Sequence, residues 1–155
     1  MKRSSAIGNA CALALLALNV AIVLYGVDAL PATIATHFGP DGVGYGSKDT
    51  LLLLIPPPLL VYALLYAVDF LPLRWMNLPM LTLTPQNEGR VRDTVRAMFA
   101  WIRVCVGGTF ALLSFAAVQS AAGSPSPIFV AIVFSVIPLG GVLVYFLGAL
   151  ARIGP

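Results

Sequence analysis

The sequence predicts an all-α protein, a four-helix transmembrane bundle. Three observations lead there. The composition is 59% hydrophobic and only 10% charged, against about 25% charged in a typical soluble domain. The mean hydropathy is +0.95. Four apolar runs recur along the chain, each near the length of about 20 residues that a helix needs to cross the hydrocarbon. With 155 residues, the chain is read as a single integral membrane domain over residues 1–155.

The first run spans residues 10–27 and is interrupted only by Asn19. Met1-Lys2-Arg3 with Val27-Asp28-Ala29 also fits a cleaved signal peptide, but the run is longer than the usual apolar region of about 7–15 residues. An uncleaved span is expected. The second run covers 51–71, with Asp69 near its end, and contains Pro56-Pro57-Pro58. Three missing amide donors must kink or break a helix there. The third run, 97–121, carries Arg103; the fourth, 128–151, has no charge before its end and holds Pro138, a second expected kink.

Basic residues set the direction. One side holds Lys2, Arg3, Arg74, Arg90, Arg92, Arg96 and Arg152, with Arg103 just inside that face, and the other holds Lys48 alone. By the positive-inside rule both termini are cytoplasmic, residues 28–49 form an extracytoplasmic loop and 72–96 a cytoplasmic one. The net charge of +3 is thus read as orientation; nucleic acid is not an expected partner.

In the cytoplasmic loop, residues 72–83 with Trp75 and Met76 read as a stretch lying on the headgroups. Thr84-Pro85 then reads as a helix start, threonine at the cap and proline in the first turn. Glu88 and Arg92 stand four apart, Asp93 and Arg96 three apart, both spacings that support a helix. Helix 3 is therefore expected to have a cytoplasmic extension. The short stretch Gly123-Ser124-Pro125-Ser126-Pro127 makes spans three and four an antiparallel pair. Gly107-Gly108 and Gly140-Gly141 fall at matching depth, and small residues there are expected to let these two backbones approach.

Polar residues inside an apolar span need partners. Asp69 and Arg103 match in depth and are expected to form an ion pair; Asn19 and Gln119 are expected to hydrogen-bond neighbouring helices. Cys11 and Cys105 each lie in an apolar run and read as buried free thiols.

The most polar stretch is Thr36 to Lys48, "THFGPDGVGYGSK", with the only histidine. Pro31 stiffens the exit from span one. Pro40-Asp41-Gly42 is a turn, Gly44 and Gly46 offer backbone freedom, and Ser47 or Asp49 can cap span two. His37, Tyr45 and Lys48 can bond carbonyls at the helix ends. These features make an ordered lid. As a recognition surface, the same lid would present His37, Asp41, Tyr45 and Lys48 to a peptide, a toxin or a lipid headgroup. A metal site from His37 with Asp28, Asp41 or Asp49 would lack a second nitrogen or sulfur ligand, and no metal or cofactor is expected. The glycines lack the Gly-Lys-Ser/Thr of a nucleotide loop.

The stretch Leu30 to Lys48, "LPATIATHFGPDGVGYGSK", resembles the module called domain of unknown function sixteen-forty-eight, a helix, a short "LP…IP.HF…G…G..SK" loop and a second helix. Leu30-Pro31, His37-Phe38, Gly42, Gly46 and Ser47-Lys48 carry the likeness, which covers about residues 10–70; Ala35 stands where a second proline is common. The module occurs at the N-terminus of SdpI-type immunity proteins and in small bacterial membrane proteins. Their C-terminal Asn…Gly-x-Arg…Thr motif has no counterpart between Trp75 and Arg96.

The resemblance implies a multi-pass protein of the bacterial cytoplasmic (inner) membrane. With no nucleophile–base pair and no metal cluster in the sequence, an enzyme is not expected. The expectation is a non-enzymatic binding or accessory subunit of a membrane complex, or an immunity or signalling protein, partnered by the bilayer and by another membrane protein or itself. The alternative is a small oligomeric transporter, for which only Asp69 and Arg103 offer embedded charges.

Overall fold

The computed structural model describes residues 2–39, 42–76, 82–123 and 128–153, with backbone alone at 2, 37–39, 42, 43 and 128–135. It contains four α-helices: α1 (Lys2–Ala29), α2 (Pro56–Ala67), α3 (Glu88–Ala121) and α4 (Ile128–Ala151). Three helical segments, Arg3–Ala29, Lys48–Phe70 and Glu88–Ala121, are long and apolar enough to cross a membrane, and the described apolar part of α4 covers Val136–Ala151. The four-helix reading holds.

Helix α3, at 34 residues, extends for about 51 Å, well beyond a hydrocarbon layer of about 30 Å. Its entry is fixed by a reciprocal cap. Asn87 N–H donates to Thr84 Oγ1 (3.3 Å) while Thr84 N–H donates to Asn87 Oδ1 (2.9 Å), the capping-box arrangement with asparagine at the third position. Glu88 N–H already reaches the Thr84 carbonyl at 3.0 Å. Thr84 is thus the functional start of the helix, although the regular α segment begins at Glu88. Its far end closes on Gly123, whose φ of 80° supplies the left-handed residue that commonly follows a helix.

Span two is not one helix. A 3-10 helix covers Lys48–Leu54, the hydrogen-bond ladder is interrupted after Ile55, whose own backbone stays helical, and α2 begins on Pro56-Pro57-Pro58. Proline at the first positions removes donors that a helix start would leave idle. The cost falls on the carbonyls before the break, because residues 56–58 have no N–H to return to them. A short 3-10 segment, Val68–Phe70, ends the span.

Between α1 and the 3-10 helix lies what the sequence reading did not foresee, a β-hairpin. Strand β1 (Thr33–Gly39) pairs antiparallel with β2 (Gly42–Ser47), Ile34 opposite Gly46 and His37 opposite Gly44, with a register shift between Ala35 and His37. Glycine at every second position of β2 disguises the strand as a turn-rich loop. Gly46 is in an extended strand, where backbone freedom is not its asset. A Cβ there would stand 3.0 Å from both Thr36 Oγ1 and Cγ2, so its smallness admits the bulged Thr36. Pro40 and Asp41, expected to form the turn, lie outside the described residues.

Helix α1 packs chiefly against α3, and α4 also lies on α3. Two small apolar cores cap the bundle. Val23, Leu30, Ile34 and Leu51 cluster at the hairpin end; Leu73, Val91, Val95 and Leu150 cluster at the other. The tandem glycines do not meet, which corrects the expected packing of α3 on α4 through them. A Cβ on Gly107 would lie 3.2 Å from Leu15 Cβ, on α1, and one on Gly108 would touch only Leu15 Cδ1; at Gly140 and Gly141 nothing described lies within 4 Å. Matching depth does not fix which way a helix face points. Among the described glycines, the tightest is Gly26, where a Cβ would meet Val118.

Candidate functional site

Between the two apolar cores run two layers of buried polar contacts. In the first, Arg103 is 1% exposed and joins three other elements. Its Nη1 donates to the Leu65 carbonyl (2.8 Å), where α2 gives way to the 3-10 segment, and its Nη2 donates to Asn9 Oδ1 on α1 (2.9 Å). The same nitrogen pairs with Asp69 Oδ2 at 2.9 Å. The Tyr62 and Tyr66 rings lie 5.7 Å and 5.4 Å from the guanidinium carbon, within the range of a cation–π attraction. The expected ion pair is present. Asn9 completes it and was missed, because one polar residue near a helix start carries no periodic signal. Asp69 Oδ1 and Arg103 Nε are buried without a partner among the described residues.

In the second layer, Asn19 Nδ2 donates to the Leu54 carbonyl (3.3 Å) and Ser114 Oγ donates to Asn19 Oδ1 (2.7 Å). In α geometry the Leu54 carbonyl would accept from residue 58, and in 3-10 geometry from residue 57. Both are proline. Asn19 supplies the donor that the broken span lacks. Gln119 makes no such bond among the described residues; it lines an apolar groove with Tyr25 and Phe115.

The hairpin is tied to the same end as this second layer. Lys48 Nζ donates to the Leu30 carbonyl (3.2 Å) and Lys48 N–H to the Ala32 carbonyl (3.1 Å), closing the last turn of α1 onto the strands. Ser47 Oγ accepts from Asp49 N–H (3.2 Å) and caps the 3-10 helix, and Ile34 is buried in the apolar core. Of the four expected loop residues, Lys48 is thus part of the anchor. Tyr45 stands 72% exposed. Asp41 and the side chain of His37 lie outside the described residues. Beneath the hairpin, Thr36, Thr50 and Ser120 share a cavity of about 360 Å³ with Ile34, Leu51 and Leu54.

Among the described residues, no group of three His, Cys, Asp or Glu stands together as a metal site. Cys11 and Cys105 are free, but within the protein Cys11 is exposed and Cys105 half-buried rather than buried as expected. Comparison with family models, with curated proteins and with solved structures finds no match to this chain.

Proposed function

We propose that this chain is a non-enzymatic protein of the bacterial inner membrane, acting as a binding or accessory subunit of a membrane complex or as an immunity- or signalling-type protein, with the hairpin as its recognition surface. In this reading the termini and the arginine-rich end are cytoplasmic and the hairpin faces outward, as the charge asymmetry favours. The observation that carries it is Tyr45, a large ring held 72% exposed on a strand whose neighbours are bonded down to the helix ends. Rigid exposed aromatics anchor protein contacts at low entropic cost. The resemblance of Leu30 to Lys48 supports the bacterial membrane setting and assigns no chemistry to the hairpin.

The transporter alternative would use the broken span and the embedded charges. Two features weigh against it. Asn19 already binds the Leu54 carbonyl freed by the break, and Arg103 is fixed by three hydrogen bonds to different elements. Purification in a mild detergent followed by native mass spectrometry tests the reading. A second membrane protein, or a second copy, should co-purify with the wild type and be lost with Tyr45→Ala while thermal stability is kept. A lone chain in both samples, or a complex indifferent to Tyr45→Ala, defeats it.

A further inference from the structure

At the end opposite the hairpin, a cleft of about 460 Å³ opens between the segment after span two and the entry of α3. Leu73 and Pro85 line it together with Arg74, Thr84, Glu88 and Arg92. Glu88 and Arg92 hold each other at 2.7 Å. Arg74 has no ion pair or hydrogen bond among the described residues and is exposed, so Glu88 offsets one arginine and leaves the other uncompensated. The volume lies within the range of about 300–1,000 Å³ usual for small-molecule sites. The amides at the start of α3 contribute little, since Thr84 and Asn87 already close them.

The place of the cleft along α3 bears on its occupant. The apolar run of α3 starts at Ala97, five residues beyond Arg92. At the helical rise, Arg92 lies about 7.5 Å along the helix before that start, a distance comparable with a headgroup layer of about 5–8 Å on each side. Trp75, next to Arg74 in sequence, is 68% exposed, and an exposed tryptophan beside an apolar span marks this interface. A planar guanidinium matches two phosphate oxygens at once. We propose that the cleft holds the phosphodiester headgroup of one anionic phospholipid, with Arg74 as the main anchor, Arg92 beside it and the Thr84 hydroxyl in its lining. Leu73 and Pro85 meet the first methylenes of the chains. The assignment rests on the chain being membrane-embedded and is independent of what the hairpin recognises.

The test uses the full chain in non-ionic detergent, followed by thermal unfolding and native mass spectrometry during titration with phosphatidylglycerol or phosphatidylcholine. Phosphatidylglycerol should raise the unfolding midpoint and leave a retained one-lipid adduct, and phosphatidylcholine should do neither. Arg74→Gln should weaken the phosphatidylglycerol effect at least tenfold. Arg90→Gln removes the same charge from an exposed position outside the cleft and should stay within twofold of wild type. Equal losses for both variants mean diffuse charge attraction and overturn the site. Equal protection by phosphatidylcholine means apolar contact alone and also overturns it. Protection by soluble glycerol 3-phosphate at the same concentration makes the ligand a free phosphate and removes the lipid. If Arg74→Gln does not fold, Arg92→Gln and the wild-type lipid comparison decide the matter.

Discussion

Asn19 on the first helix completes a hydrogen bond that Pro58 on the second cannot make. Its Nδ2 reaches the Leu54 carbonyl at 3.3 Å, the acceptor that residue 58 would serve in a continuous helix. A polar side chain in an apolar span and a proline run in another are therefore one feature. Asn19→Ala should destabilise the protein by about 1–3 kcal/mol, the cost of leaving buried polar groups unpaired. Pro58→Ala restores an N–H at the right position, so the loss from Asn19→Ala should shrink in that background. A double-mutant cycle on thermal unfolding in detergent measures this; strict additivity would separate the two residues.

The arginine centre makes a second prediction. Arg103→Met leaves Asp69 buried beside an unbonded Leu65 carbonyl and should cost about 3–5 kcal/mol. Arg103→Met combined with Asp69→Asn should cost less than Arg103→Met alone, because the orphaned carboxylate is gone. Arg103→Lys should not restore wild-type stability, since one ammonium cannot span Asn9, Leu65 and Asp69 as the planar fork does. Wild-type melting of Arg103→Lys would remove the guanidinium geometry from the account.

Glycines separate by position. A Cβ at Gly26 would lie 2.5 Å from Val118 Cγ2, whereas one at Gly141 meets nothing described within 4 Å. Valine has little rotamer freedom in a helix, so Gly26→Ala should cost about 1–3 kcal/mol through overpacking. Gly141→Ala should be neutral or slightly stabilising. Val118→Ala should relieve the Gly26 variant. Equal melting temperatures for Gly26→Ala and Gly141→Ala would contradict the close contact of α1 and α3.

The proposed orientation has its own check. In a background with Cys11→Ala and Cys105→Ala, Ser47→Cys on intact cells should react with a membrane-impermeant thiol reagent. Gln86→Cys should react only after the cells are opened. Both positions are exposed on the folded protein, so access across the membrane is what the labelling reads. The reverse pattern would invert the protein and move the hairpin inside.

Span position was legible because hydropathy runs are long and need no partner to be recognised. The fourth helix covers the expected residues 128–151, and Asp69 met Arg103 as their depths suggested. Azimuth was not legible. Nothing in Gly107-Gly108 says which neighbour its face meets, and the observed partner is Leu15 on α1 rather than a glycine on α4. Nor was the hairpin. Gly42, Gly44 and Gly46 lower strand propensity, and the pairing became visible only once the helix ends brought Thr33 opposite Ser47. Asn9 was hidden for a related reason, as its acceptor role exists only after α3 places Arg103 beside it.

The packing of α1 more on α3 than on the span that follows it sets an order in which the contacts can form. A ribosome delivers Asn9, Asn19, the proline break and Asp69 to the translocation machinery before Ser114 and Arg103 exist. Until the third helix enters, Asn19 can reach the Leu54 carbonyl but lacks Ser114, and Asn9, Asp69 and the Leu65 carbonyl lack Arg103. The polar contacts of the first two spans are therefore complete only once residue 103 stands between them, and a chain ending before it leaves Asn9 and Asp69 without their shared partner.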